Sequence, residues 1–332
     1  MEPKKGVKRE KERLVDDYGR EIKSLRFSLT NRCNMNCIYC HFEGEERREK
    51  SEEISAEIII ETARVASAYF DIRRIKFSGG EPLMRDDLVD IIHGMSDFED
   101  DISVTTNGTF LKKYAVELAD SGLDRVNVSL DSLKEERYDL ITSSRDFLPQ
   151  VIDGIYSAID AGLTPIKLNM VLLKGINEDE IDSMISFVRE CNIRGGGAAA
   201  ILQLIELIPS FNPSMVNYKA DFYNVEDKLK SEASAIKTRR LQRRKKYFLD
   251  GVEVEVVHPI DNTEFCANCS RLRITSNGKI KPCLLKHDNL VPIERMDEAH
   301  ILNSLKQAMR YREPFFGIKR GKINYRTQIN AD

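Results

Sequence analysis

Between Leu25 and His41 the chain reads LRFSLTNRCNMNCIYCH, and this stretch limits the folds open to it more than any other. Residues 26–29 read as a short strand, so Cys33, Cys37 and Cys40, spaced C-x3-C-x2-C, sit in the loop that leaves it. Three thiols in one loop suit a metal. A structural zinc site wants four protein ligands, and a lone triad leaves one position empty. A four-iron cluster on three cysteines also leaves one iron open, free to take a small molecule. Three unengaged cysteines are the plainest alternative, but such clustering by chance is improbable where 332 residues hold only 7 cysteines.

The following stretch, 43–53, is rich in both charges and reads as a solvated loop. Strand and helix patterns then alternate. Ser55 caps a helix reaching about Ala68, with Glu57 in its first turn. Strands are expected over 74–77, 102–105, 126–130, 166–171 and 201–208, and helices over 86–95, 111–119, 149–161 and 178–190, with an irregular connection before the third of these. Six short strands rich in Val, Ile and Leu, separated by helices, imply parallel pairing, right-handed crossovers and burial on both faces. The expected class is α/β, a partial (β/α)6 TIM-like barrel short of the closed eight-unit form. The potentially reactive residues follow the strands. The cysteine triad follows the first and Ser78-Gly79-Gly80-Glu81-Pro82 the second. Thr105-Thr106-Asn107-Gly108 closes the third, and Ser129-Leu130-Asp131 the fourth. Ligands of parallel α/β proteins bind at such carboxyl ends.

Beyond Pro209 the pattern changes. Residues 237–246, KTRRLQRRKK, form a basic run that reads equally well as a phosphate-docking surface or a solvated face. Asp250-Gly251 between the patterns 247–249 and 252–257 predicts a hairpin. Asn277-Gly278 between 271–275 and 279–281 predicts another. The second hairpin returns Cys283 to the side of Cys266 and Cys269, gathering a second triad. Period-two alternation puts Arg271 and Arg273 on one face, a pair suited to an anion. A structural zinc completed by His258 or His287 is the competing reading. Cys191 stands alone and reads as a small buried residue.

Composition sets outer bounds. Hydrophobic residues, at 41%, suffice for a substantial core, in one large domain or one with an attachment. Charged residues reach 32% yet leave a net charge of only −3, which gives no general case for nucleic-acid binding. Cysteines bunched in triads argue against a disulfide framework and for a reducing cytoplasm. The opening MEPKKGVKREKERLVDD lacks the apolar stretch of a signal peptide, and no apolar run is long enough to cross a bilayer. The expected organisation is a mobile segment over 1–16, a barrel over 17–208 and a C-terminal region with the second triad over 209–332.

The C-x3-C-x2-C spacing resembles the signature of the radical S-adenosylmethionine (SAM) enzymes. In that superfamily SAM chelates the open iron, and an electron from the cluster releases a 5′-deoxyadenosyl radical. Two linked motifs narrow the resemblance. One is Asp17-x-Gly19-Arg20 followed by Leu25-Arg26-x-Ser28-x-Thr30-x-Arg32-Cys33-Asn34. The other is Phe265-Cys266-x2-Cys269-x-Arg271-Leu272-Arg273 with Gly278-Lys279 and Pro282-Cys283-Leu284. Together they are similar to the GTP 3′,8-cyclase family, lyases of molybdenum cofactor biosynthesis, over roughly Asp17 to Cys283.

The resemblance implies two [4Fe-4S] clusters, one on Cys33, Cys37 and Cys40 and one on Cys266, Cys269 and Cys283. It implies SAM contacts from Tyr39, Gly80, Ser129 and Ile208. GTP contacts would come from Arg26, Lys76, Thr105, Lys167, Arg271, Leu272 and Arg273, with the guanine on the open iron of the second cluster. No catalytic side chain is implied beyond the clusters and SAM. The implied reaction removes hydrogen from C3′ of GTP, and the carbon radical attacks C8 to give 3′,8-cyclo-7,8-dihydro-GTP. Implied partners are an electron donor such as ferredoxin or flavodoxin, a downstream cyclic pyranopterin monophosphate synthase and, among assemblies, a homodimer; no membrane or nucleic acid is implied. Ile208 stands where a methionine often contacts SAM, and Lys76 where an arginine often contacts GTP. The chain closes on Asn330-Ala331-Asp332 where well-known members carry paired glycines. Two rival readings stay open: another two-cluster radical SAM enzyme acting on a peptide or a different nucleotide, and a metal-stabilised RNA-binding protein using the basic run.

Overall fold

The computed structural model describes residues 11–45, 53–209, 213–260 and 262–314. The six expected strands are present as β1 (Ser24–Ser28), β2 (Arg74–Ser78), β3 (Asp101–Thr106), β4 (Arg125–Ser129), β5 (Ile166–Leu172) and β6 (Ala200–Glu206). They pair in sequence order and all in parallel. Between them run α1 (Ala56–Phe70), α2 (Leu88–His93), α3 (Leu111–Asp120), α4 (Glu135–Thr142), α5 (Leu148–Asp160) and α6 (Ile181–Arg194). Helix α1 shows why they form: the Ser55 hydroxyl accepts from the Ile58 N–H, Asp71 ends the helix in the left-handed region, and Ile59, Ala63, Ala66 and Phe70 make one buried stripe.

The sheet continues through the expected boundary at Ile208. After α7 (Phe222–Glu232) come β7 (Ala235–Thr238), β8 (Lys245–Leu249) and β9 (Val252–Val257), and β9 pairs in parallel with β6. After α8 (Thr263–Ala267) come β10 (Arg271–Ile274), β11 (Lys279–Lys281) and β12 (Val291–Pro292), and β10 pairs in parallel with β1. Helix α9 (Glu298–Arg310) packs on α1 and β11. The result is one open sheet of twelve strands, ordered β12-β11-β10-β1-β2-β3-β4-β5-β6-β9-β8-β7. The partial barrel is thus lengthened at both edges by C-terminal hairpins, and both predicted hairpins form.

Three expectations change. Residues 11–16 were expected to be mobile, yet Leu14 is in the core, the Glu12 N–H donates to the Tyr69 carbonyl at 2.9 Å, and Val15 bridges Glu21; residues 1–10 lie outside the described set. The connection expected to be irregular contains α4, whose Tyr138 and Ile141 are buried. The strands were expected to be buried on both faces, but β5 alternates, with Lys167, Asn169 and Val171 only half-buried. Those three face the inside of the barrel, which is a cavity rather than a packed core. The paired-glycine position at the chain's end lies outside the described residues.

Candidate active site at the carboxyl ends of the strands

A cavity of about 330 Å³ opens where the six strands end. Its wall takes Arg26 from β1, Lys76 from β2, Thr105 from β3, Ser129 from β4, Asn169 and Val171 from β5, Gln203 and Ile205 from β6, and Arg271 and Arg273 from β10. Parallel register explains the convergence: Arg26 lies beside Arg273 on one side and Lys76 on the other, and Ser129 beside Asn169, which lies beside Gln203. Tyr39 and His41, which flank Cys40, border the same cavity as Cys266, Cys269 and Cys283. The two cysteine loops therefore address one chamber.

The first loop is held from outside. The Asn36 and Ile38 N–H groups donate to Thr142 and Ile141 carbonyls at the end of α4, at 3.0 and 2.9 Å. The Tyr39 hydroxyl donates to Asp131 Oδ2 at 2.5 Å, and Asp131 Oδ1 accepts from the Val171 N–H at 2.7 Å. Burial raises Cys33, and it raises Cys37 well above the ordinary thiol value, with Asp131, Cys40 and Cys33 adding to it. Met35 N–H and Asn107 Nδ2 lie 3.5 and 3.9 Å from Cys33 Sγ, and Phe42 N–H lies 3.4 Å from Cys40 Sγ.

The glycine-rich turn after β2 has no room for side chains. A Cβ on Gly79, at φ +146°, would come within 2.5 Å of the Thr30 carbonyl, and one on Gly80 within 2.1 Å of the Arg32 carbonyl. Glu81, fully buried, ties this turn to β3 by accepting from the Thr106 hydroxyl (2.7 Å), the Asn107 N–H (2.7 Å) and the Leu83 N–H (3.0 Å).

The second loop is clamped by charges distant in sequence. Asp16 sits between Arg20 (2.6 Å) and Arg312 (3.0 Å). Arg20 donates to the Cys266 carbonyl at 3.1 Å, and Arg312 to the Cys269 and Arg271 carbonyls at 2.8 and 3.1 Å. Arg20, which closes the Asp17-x-Gly19-Arg20 motif, thus shapes the loop carrying Cys266 and Cys269. Burial raises Cys283, whereas for Cys269 burial is outweighed by Arg312, Arg271 and Arg273, which lower it.

The stretch expected to be a solvated loop from Glu43 instead joins the two cysteine loops. Glu43 pairs with Arg273 at 2.8 Å and with Arg26 at 3.7 Å, and Glu45 accepts from the Ser276 N–H and hydroxyl. A Cβ on Gly44, at φ +73°, would lie 2.2 Å from the Leu284 carbonyl. Sequence reasoning missed this because a run of mixed charge looks the same whether its partners are water or distant arginines; residues 46–52 of that run lie outside the described set.

Cations dominate the chamber. Burial lowers Arg26 to about 10, with Glu43 opposing and Arg273 and Arg244 adding to the fall. Burial and four neighbouring cations lower Lys76 well below its ordinary value, and Arg271 is lowered similarly by burial, Arg26, Arg273 and Arg244. Against them stand Glu43, Glu206 and Glu313 on the wall, and Glu255, which holds Arg244. Burial would raise Glu43, but Arg26 and Arg273 hold it at about 2. Glu255 meets Lys167, Arg239 and Arg244 at 2.6, 3.0 and 3.3 Å. Such a surplus of buried positive charge calls for an anion.

Among the expected contact residues, Arg26, Tyr39, Lys76, Thr105, Ser129, Ile208, Arg271 and Arg273 border the cavity. Gly80, Lys167 and the first three cysteines are not among the lining residues; Lys167 pairs with Glu255, which also holds Arg244 of the wall, and Cys40 lies between Tyr39 and His41, both of the wall. Leu272 does not join them: it is the alternate residue of β10, wholly buried in the core, so its side chain points away from the chamber. His258 and His287, the suggested fourth zinc ligands, engage Glu206 and Lys281 instead.

The donors fit iron–sulfur clusters. Each triad offers three thiols, and buried thiols ionise readily when a metal takes them. Among the described residues no three His, Cys, Asp or Glu side chains are drawn together around a single metal ion. The chamber between the triads also holds buried polar atoms without protein partners, Arg26 Nε, Asn169 Oδ1 and Arg244 Nε.

The Radical SAM superfamily pattern matches residues 27–188, and the Molybdenum Cofactor Synthesis C pattern matches residues 200–316. The probable GTP 3′,8-cyclase of Methanocella arvoryzae is 49% identical over 310 residues, 93% of this chain and 97% of its own length. That of Methanothermobacter thermautotrophicus is 45% identical over 312 residues, 91% and 99% of the two chains. Among solved structures, Streptococcus suis SuiB bound to S-adenosylmethionine matches 79% of this chain with TM-score 0.61 at 17% identity, and this chain spans 60% of SuiB. The anSMEcpe structure with bound AdoMet matches 85% of this chain and 79% of its own with TM-score 0.58 at 15% identity. The structural likenesses establish the fold, and the long, nearly full-length sequence identities establish the family: the chain belongs to the GTP 3′,8-cyclases of the radical SAM superfamily.

Proposed function

We infer that this chain is a GTP 3′,8-cyclase that uses SAM and two [4Fe-4S] clusters to convert GTP to 3′,8-cyclo-7,8-dihydro-GTP for molybdenum cofactor biosynthesis. The observation that carries the reading is the single chamber bordered by Tyr39 and His41 beside one cysteine triad and by Cys266, Cys269 and Cys283 opposite, with buried cations between. The chemistry supplied by the bound cluster and SAM is hydrogen-atom abstraction from C3′ of GTP.

The protein's own contribution is placement. Cys33, Cys37 and Cys40 hold the first cluster, and Tyr39, Gly80, Ser129 and Ile208 bound the SAM position. The rigid turn at Gly79 and Gly80 is laced to the first loop, with the Gly80 N–H donating to the Thr30 carbonyl at 2.6 Å and the Glu81 N–H to the Arg32 carbonyl at 2.7 Å, and the carbonyls of the turn would suit the amino group of SAM. Cys266, Cys269 and Cys283 would hold the second cluster, which would receive the guanine. Arg26, Lys76, Thr105, Arg271 and Arg273 receive GTP, and Lys167 supports them. Their charges suit a triphosphate, which in turn offsets the repulsion among them. C3′ and C8 already belong to one molecule, so holding its base and its phosphates at two fixed ends serves to select the conformer in which the two carbons meet.

Anaerobic incubation of the reconstituted chain with GTP, SAM and dithionite tests the reading. Expected are GTP-dependent 5′-deoxyadenosine and a product of the mass of GTP that carries the new C3′–C8 bond. 5′-Deoxyadenosine formed with no dependence on GTP would overturn the cyclase reading in favour of another radical SAM substrate.

Among the described residues no helix is long and apolar enough to cross a membrane. We further propose a cytoplasmic enzyme, reduced by ferredoxin or flavodoxin, whose product passes to a cyclic pyranopterin monophosphate synthase, and a homodimer as its assembly.

A further inference from the structure

The basic run narrows its phosphate-docking reading to one arginine and adds a contact that neither sequence reading contains. Its centre lies against the second cysteine loop: the Gln242 N–H donates to the Asn268 carbonyl at 3.0 Å, and Arg243 pairs with Glu264 at 3.0 Å. Gln242 and Arg243 both adopt positive φ, +55° and +51°. Two successive non-glycine residues in the left-handed region are unfavourable and persist only where their surroundings demand it. Gln242 is 7% exposed and borders the cavity. Its side-chain amide faces two ways. Nε2 lies 3.9 Å from Cys269 Sγ, while Oε1 accepts from Arg244 Nη2. Arg244 in turn borders the cavity, reaches Glu255 with Nη1 at 3.3 Å, stacks its guanidinium 5.6 Å from the Phe265 ring centre and leaves a buried Nε without a protein partner.

We propose that Gln242 is a positioning residue joining the two halves of the substrate site: its N–H group hydrogen-bonds the sulfur of Cys269 and tunes the second cluster, and its carbonyl sets Arg244 to receive the phosphates of the nucleotide. This rests on the cyclase reading and adds two residues to it. The strain at 242–243 turns the amide inward, and a chain following an ordinary extended path would present it elsewhere. An N–H donor on a cluster sulfur favours the more negatively charged reduced state, so it raises the reduction potential. Arg244, fixed by Gln242 and Glu255, brings a planar pair of donors at little entropic cost.

The test uses the full chain with Cys33, Cys37 and Cys40 replaced by alanine, so that only the second cluster is reconstituted. Its potential is read by redox titration followed by electron paramagnetic resonance, and its affinity for GTP and for guanosine by equilibrium dialysis. Gln242→Gly is suited to the left-handed backbone and keeps the fold; it loses both contacts. It should shift the potential downward and weaken GTP binding by roughly tenfold while leaving guanosine binding unchanged. Gln242→Glu keeps the acceptor for Arg244 but turns a charged oxygen toward the sulfur in place of the N–H donor, so the potential should fall further than in Gln242→Gly while GTP binding falls less. A Gln242→Gly chain with unaltered potential and unaltered GTP affinity overturns the proposal. Equal weakening for GTP and guanosine overturns the phosphate half. If the chain with Gln242 intact binds no GTP while the potential still shifts, the cyclase reading fails and the sulfur contact stands.

Discussion

Arg273 Nη1 lies 2.8 Å from Glu43 Oε2, so the strand that leads away from the second cysteine pair is pinned to the loop that follows the first triad. Beside this pair Glu45 holds Ser276, and Lys281 Nζ donates to the Gly44 carbonyl at 2.6 Å. Residues 43–45 thus tie the loop after the first triad to the hairpin between Cys269 and Cys283.

Glu43 is expected to stabilise the fold in proportion to its ionisation. Its carboxyl is held at about 2, against an ordinary 4.5, because Arg26 and Arg273 outweigh the burial that would raise it. The folded form therefore resists protonation, and the contribution is complete above about pH 4.5 and lost as pH falls toward 2. Glu43→Ala leaves two buried guanidiniums facing each other and should cost about 3–5 kcal/mol at neutral pH. Urea denaturation of the two chains from pH 7 to pH 3 should show the gap closing in acid. A gap that does not depend on pH would remove the electrostatic explanation.

Asp16 should matter to the second cysteine site without touching it. It is wholly buried between Arg20 and Arg312, whose other donors hold the carbonyls of Cys266, Cys269 and Arg271. Asp16→Asn keeps shape but removes the charge that collects both guanidiniums. The reconstituted variant should fall from roughly eight irons per chain toward four, with the remaining iron in the SAM-binding cluster. Retention of all eight would show that the carbonyl contacts alone suffice.

How much of this was legible in the sequence depends on the range of the interaction. The strands, the two hairpins and the inward face of β10 follow from local periodicity and turn residues, and the structure has them. Cys33, Cys37 and Cys40 announce themselves because their partners lie within eight residues of one another. Glu43, Asp16 and Gln242 do not. Their partners are Arg273, Arg312 and Cys269, brought near only when β10 joins β1 and α9 packs on α1. Leu272 shows the opposite case: placed with its neighbours by resemblance, its side chain is turned into the core by strand alternation, so any contact it makes with a ligand would be through its backbone. Helix α4 was hidden because its apolar residues are few, and it is kept helical by the Arg137 pairs to Asp179 and Glu180 and by the cysteine loop resting on its end.

Cys266→Ser separates the roles of the two triads. Loss of one thiolate should empty the second site and leave about four irons per chain, with SAM still bound but no cyclised product. Iron analysis and product mass together check this. Loss of both clusters would mean that the second triad is needed to build the chamber itself, through the tie at 43–45.

Arg271 borders the cavity, whereas its carbonyl is held by Arg312, so its side chain can be removed without releasing the strand. Arg271→Ala should weaken GTP binding by roughly tenfold to a hundredfold, the worth of a charge-assisted hydrogen bond, and leave SAM affinity unchanged. Equilibrium dialysis of both ligands against the same reconstituted protein measures the difference. Equal losses would place Arg271 in the general architecture rather than at the nucleotide.

Glu81 sets a pH dependence of opposite sign to Glu43. Burial pushes its carboxyl up to about 7 despite donors from Asn107, Thr106 and Leu83 that favour the ionised form. Between pH 4.5 and about 7 the unfolded chain has released this proton while the folded chain still holds it. Stability contributed by Glu81 is therefore complete below pH 4.5 and declines as pH rises to about 7, by about 3 kcal/mol in all. Glu81→Gln carries no titrating proton. The difference in unfolding free energy between it and the unaltered chain should change steadily across this window and level off above it. Because the same carboxyl joins the glycine turn to Asn107, which reaches Cys33, Gln at this position turns one donor against the Asn107 N–H and should weaken SAM binding even where stability is regained. A stability difference that is flat from pH 4.5 to 8, with SAM affinity unaltered, would show that Glu81 is ionised throughout and that its three donors outweigh its burial.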